Sequence, residues 1–64
     1  MLKEELKNAW RRIYPNIPLG ERKMPTYVSK EFGPISWTVL ALEVEADTKV
    51  AEEALEFLRK ANII

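Results

Sequence analysis

Neither cysteine nor histidine occurs in this 64-residue chain, and that absence constrains its folding more than any other feature. A chain of this length buries only about 60% of the surface its unfolded form exposes, so it sits near the lower limit for folding alone. Such chains are usually held by disulfides, by a structural metal or by association with another copy. Without Cys or His, the first two routes are closed in their common forms. Association remains, and the sequence is expected to act as a homodimer.

The rest of the composition fits a folded domain. The apolar fraction is 47% and the charged fraction 31%, the second somewhat above the usual quarter. There is no glutamine, and Asn8, Asn16 and Asn62 are the only asparagines. Charge-rich chains with few thermolabile residues point to a thermophile source. The opening residues up to Lys7 already carry charge, and no apolar run long enough for a signal peptide or a membrane span follows. A cytoplasmic protein without membrane contact is the expectation. The formal charge is zero, yet residues 1–30 hold seven Lys/Arg against three Glu (+4) and residues 31–64 hold three against seven acids (−4). Such asymmetry marks either a basic binding face or mutual attraction between halves or copies.

One domain, residues 1–64, accounts for the whole pattern. Leu2, Leu6, Ala9, Trp10 and Ile13 recur at helical spacing, so a helix is expected over residues 2–14. Pro15 ends it, because proline drives its predecessor out of the helical region. Residues 15–25, PNIPLGERKMP, carry too many prolines for regular structure and read as an ordered loop held at Ile17, Leu19 and Met24. Residues 26–31 read as a strand, Gly33-Pro34 as a turn, and residues 35–45 as a second, longer strand. A helix follows over residues 48–61. Asp47 or Thr48 serves as its N-cap, Val50, Ala51, Ala54, Leu55, Phe57, Leu58 and Ala61 form its apolar face, and Asn62 stops it.

The second expected strand does not alternate cleanly. Its apolar side chains change face midway, and Val39 to Leu42 is apolar on both. Either a bulge shifts the register or a second copy covers the strand. Since a two-stranded sheet is marginal in water, Trp37, Val39, Leu40, Ala41 and Leu42 are expected to form a dimer strand. The fold expectation is therefore α+β in the order α–loop–β–β–α: an antiparallel hairpin with two helices packed on one face, its sheet extended by dimerisation.

Without His or Cys, the usual general base and the strongest nucleophile are missing. The chain is not expected to be an enzyme, and no catalytic, cofactor-binding or metal-binding residue is assigned. Glu43, Glu45 and Asp47 alternate along the expected strand and suit an oxygen-liganded cation, but read more simply as a solvated strand end. Gly20 stands alone and makes no phosphate-binding loop. Arg11, Arg12, Tyr14, Arg22, Lys23, Tyr27 and Lys30 come from elements that can converge, and are the candidate contacts for a protein partner or a nucleic acid. A sequence pI near 6.2 lies far from the basic footprint of nucleic-acid-binding domains. Trp10 and Trp37 occupy apolar-face positions and suit a core, or else a small-ligand pocket.

Two family patterns are similar to parts of the chain. Residues 26–61, with Pro25 and Tyr27 ahead of Gly33-Pro34 and an Ala-rich last helix, resemble a double-stranded-RNA-binding domain. They depart from it in lacking a third strand and in having Asp47, Thr48 and Lys49 where that family carries a lysine cluster. Residues 39–63 resemble the last strand and helix of the NIL domain, a ligand-sensing module of ferredoxin-like fold. Its leading strand is missing here, and neither resemblance carries functional residues across.

The leading functional expectation is a non-catalytic protein-interaction or regulatory module acting as a homodimer, with its partner surface on the 15–25 loop beside Arg11, Arg12 and Tyr27. The alternatives are a nucleic-acid-binding accessory protein using the basic residues, and a small-ligand sensor using the two tryptophans.

Overall fold

Leu6, Ala9 and Trp10 are buried on one side of the first helix, α1 (Glu4–Ile13), with Leu2 buried just ahead of it. Glu4 and Glu5 open the helix and Arg11 and Arg12 close it, each charge set against the matching end of the helix dipole. Pro15 falls in a short 3₁₀ turn, Tyr14–Asn16, and Tyr14 keeps helical dihedrals (φ −54°, ψ −46°), so α1 ends by tightening into that turn and not by Pro15 driving its predecessor out of the helical region. The remaining elements are strands β1 (Pro25–Ser29) and β2 (Gly33–Ser36) and helices α2 (Trp37–Ala46) and α3 (Lys49–Lys60). The computed structural model describes residues 2–64.

The α+β class, the antiparallel hairpin and the first and last helices are as the sequence implies, but the hairpin turn is corrected: it lies at residues 30–32, and Gly33 and Pro34, expected as the turn, belong to β2 opposite Ser29 and Val28. The expected long second strand is corrected. Only Gly33–Ser36 is strand, and Trp37, Val39, Leu40, Ala41 and Leu42 lie in α2. The order is thus α–β–β–α–α, with three helices instead of two. The switch occurs at Ser36, whose backbone is extended and whose Oγ accepts the Val39 N–H at 3.2 Å, the bond of an N-cap. Leu40 and Val44, one turn apart, are buried, with Trp37 and Ala41 half-buried against the same core. The two-faced apolar pattern of residues 39–42 is therefore that of a helix apolar nearly all round. It needs neither a bulge nor a covering strand in that segment.

At its far end α2 stops at Asp47, which takes the left-handed conformation (φ 56°, ψ 47°). The Thr48 N–H then reaches back to the Glu43 carbonyl at 3.2 Å, satisfying a carbonyl the helix end leaves open. Thr48 Oγ1 accepts the Ala51 N–H and caps α3. A two-residue connection thus joins α2 to α3. The end of α3 repeats the device: Asn62 has φ 59° and the Ile63 N–H bonds the Leu58 carbonyl at 2.9 Å, so Asn62 is the stop its sequence position suggests.

β1 pairs with β2 through Tyr27↔Ile35, Val28↔Pro34 and Ser29↔Gly33. A register shift between Pro25 and Tyr27 makes Thr26 a bulge residue with nothing opposite it in β2. Gly33 leaves the hairpin turn at φ 73°, a conformation that a Cβ would strain. Ser29 Oγ accepts the N–H groups of Glu31 and Phe32 inside that turn, which explains why a buried serine is tolerated there. Tyr27, Ser29 and Ile35 face the helices, and Val28 and Pro34 face outward.

Leu40, Val44, Leu55 and Leu58 are fully buried at the centre, and Ala51 and Ala54 let the neighbouring elements approach closely. Each buried leucine contributes about 2 kcal/mol relative to exposure. α1 and α3 run in the same sense. Leu2 touches Asp47 at one end, and Ile13 and Ile64 line one depression at the other.

Candidate functional site

The 15–25 loop is ordered, but not by the side chains its sequence suggests. Leu19 and Met24 are exposed and only Ile17 is half-buried. The loop is held by Arg22. Its Nε donates to the Ile17 carbonyl at 3.0 Å, and its Nη2 lies 3.4 Å from the carbonyls of Tyr14 and Pro15. The guanidinium stacks 4.7 Å over the Tyr14 ring. From the other side, the Arg22 carbonyl accepts both the N–H and the hydroxyl of Thr38, at 3.0 and 3.1 Å. Arg22 therefore joins the end of α1 to the start of α2, a structural use of a residue expected at a binding face.

Tyr14 continues the stack inward. Its ring lies 5.1 Å from Trp10, and Trp10 lies 5.7 Å from Trp37, all near-parallel at 21°. The two tryptophans pack on each other instead of lining a cavity between helix and sheet. Beside them a surface groove of about 300 Å³ runs between α1 and α2, lined by Trp10, Arg11, Tyr14, Pro15, Ala41, Leu42 and Glu45. Leu42 is 66% exposed at this groove and Val39, one turn earlier on α2, is 47% exposed.

The basic candidates are dispersed. Arg11 lines the α1–α2 groove, while Arg12 lines a different depression with Arg59, Asn62 and Ile64. That second depression sits where α1 and α3 both end, so its arginines face the negative ends of two helix dipoles. Arg22 is engaged as described, Lys23 is exposed in the loop, and Lys30 lies in the hairpin turn. The structure brings Arg11 and Arg22 to Tyr14, Arg22 already engaged with backbone carbonyls, and sets Arg12 and Tyr27 at other surfaces.

Tyr27 belongs to a second surface. Its ring lies 5.3 Å from Phe57, and Pro25, Thr26, Tyr27, Val28 and Phe57 line an open depression of about 300 Å³. Val28 is 68% exposed and Phe57 50%. The apolar pattern of the sequence places Phe57 on the buried face of α3. The structure instead sets it at the border of that face, beyond the buried Ala54, Leu55 and Leu58. Its distance around the helix from the Ala51–Leu55–Leu58 stripe was the available signal.

Glu43, Glu45 and Asp47 stand on and just after a helix instead of along a strand, so they do not alternate on one face. Asp47 uses Oδ1 to accept the Leu2 N–H at 2.6 Å. Among the described residues, no three His, Cys, Asp or Glu side chains gather where they can hold a metal ion. No described helix is long and apolar enough to cross a membrane.

The helical state of residues 37–46 also removes the strand on which the likeness to the NIL domain rested. No protein-family model matches the chain, and comparison with curated proteins and with solved structures gives no match.

Proposed function

We propose that this chain is a non-catalytic protein-interaction module that acts as a homodimer. The observation that carries the reading is the amount of apolar side chain left open on well-formed elements: Val28 and Phe57 beside β1, and Val39 and Leu42 on the outer face of α2. Regular elements of a small domain ordinarily turn charged side chains outward, and contiguous apolar surface marks a contact site. The absence of His and Cys from the sequence supports a non-catalytic role, since it leaves no side chain that titrates near neutral pH unaided. The small core supports association as a source of stability. The partner-facing surface in this reading is the α1–α2 groove, where Arg11 and Tyr14 border Leu42.

Light scattering on a sizing column, run over a dilution series, tests it. The expected mass is twice 7.4 kDa. A mass of one chain at every concentration overturns the homodimer.

A further inference from the structure

Of the two apolar surfaces, one also carries outward backbone groups with which another strand can pair. We infer, resting on the homodimer reading above, that the second copy docks along the free edge of β1. In this arrangement β1 pairs antiparallel with β1 of the other copy, and two hairpins become one four-stranded sheet.

The edge is open for a definite reason. Val28 stands opposite Pro34, and proline has no N–H to give to a ladder. In an antiparallel pair, residues alternate between those that exchange hydrogen bonds and those that do not. Val28↔Pro34 is the non-bonded kind, flanked by Tyr27↔Ile35 and Ser29↔Gly33. The N–H and C=O of Val28 therefore point away from β2. Thr26, the bulge residue, also has nothing opposite it in β2. Among the described residues β1 has a strand neighbour on one side only, β2, and the Val28 side chain is 68% exposed on the outer face. Unpaired edges are the usual template for strand addition.

The occupant is argued from self-complementarity. From Met24 to Ser29 the strand has no charge, so two copies approach without repulsion. A twofold axis at Tyr27 sets Thr26 against Val28 of the other copy, and Pro25 against its Ser29. Just beyond the strand, the same register brings the turn that holds Lys23 toward the hairpin turn of the other copy, which holds Glu31 beside Lys30. Shifting the axis by one residue to Val28 sets Glu31 against Pro25 instead. The Tyr27–Phe57 ring pairs of the two copies come together across the axis and cover each other's exposed edge.

The test is Val28→Pro, which removes an outward N–H and asks Tyr27 only to stay extended, as a strand residue already is. Leu42→Glu, on the α2 face, is its counterpart. The expected result is a wild-type mass of twice 7.4 kDa, halved by Val28→Pro with the far-UV spectrum retained, and unchanged by Leu42→Glu. Amide hydrogen exchange on the wild type decides independently of any variant that fails to fold: the Val28 N–H is protected in the dimer and loses that protection on dilution. A dimer that survives Val28→Pro, or whose Val28 N–H exchanges as freely as in dilute solution, overturns the edge pairing while leaving the homodimer standing. A wild type that is a single chain throughout removes both.

Discussion

The carboxylate of Asp47 accepts the backbone N–H of Leu2 at 2.6 Å, across 45 positions of sequence. One residue thus ends α2 in the left-handed conformation and fixes the start of α1. Asp47→Ala removes the bond and places a Cβ-bearing residue without a local polar partner at positive φ. It is expected to lower the unfolding free energy by about 2–3 kcal/mol, read by urea denaturation. Asp47→Asn, which tolerates the same backbone and still accepts a hydrogen bond, is expected to lose less.

Arg22 makes directional bonds to the carbonyls of Tyr14, Pro15 and Ile17, just after α1, and stacks on Tyr14. A lysine keeps the charge but has no planar fork to meet those carbonyls. Arg22→Lys is therefore expected to cost about 1–2 kcal/mol of stability. A denaturation midpoint equal to that of the wild type counts against the structural role.

Ser36→Ala asks whether residues 37–46 are helical. Loss of an N-cap serine costs about 1 kcal/mol. If the segment were strand, the Ser36 Oγ would have no Val39 N–H to accept, and the substitution would be nearly neutral. Thermal melts of the single variant, compared with Thr48→Ala at the cap of α3, measure the two caps on one scale.

Leu40 and Leu42 are two residues apart on α2 and oppositely disposed, fully buried and 66% exposed. Leu40→Ala is expected to cost about 2–5 kcal/mol, a large share of what a domain this small holds at about 0.05–0.15 kcal/mol per residue. Leu42→Glu is expected to change stability by about 0.5 kcal/mol or less. In a strand, by contrast, both side chains would share a face and respond alike. Circular dichroism at room temperature separates the outcomes.

The elements legible in the sequence are those with one apolar stripe and an unambiguous border. Leu6, Ala9 and Trp10 define α1 and Pro15 bounds it, while Thr48 and Asn62 bracket α3. The hairpin follows from Tyr27, Val28 and Gly33. α2 was hidden because Val39 and Leu42 are apolar on its solvent side, so no stripe stands out from its surroundings. Its Val, Trp and Thr content also favours strand by propensity. The helical signal was present in Trp37, Leu40, Ala41 and Val44 at i, i+3, i+4 and i+7, with Ser36 in the capping position. Of the candidate contacts, Arg11 and Tyr14 share a surface. The role of Arg22 is not legible in the sequence, because nothing in it discloses that a loop cation turns inward to backbone carbonyls.

The parallel course of α1 and α3 also sets an order of events. Helices that run the same way cannot be joined by a short turn, and here the whole hairpin and α2 lie between them. The α2–α3 pair closes over two residues, whereas the Leu2–Asp47 contact closes a loop of 45, which carries the larger entropic cost. In synthesis α1 precedes α3 by the length of the hairpin and α2. Leu6 and Ala9, which border α3, therefore stay uncovered until α3 forms, whereas Trp10 can stack on Trp37 as soon as α2 forms.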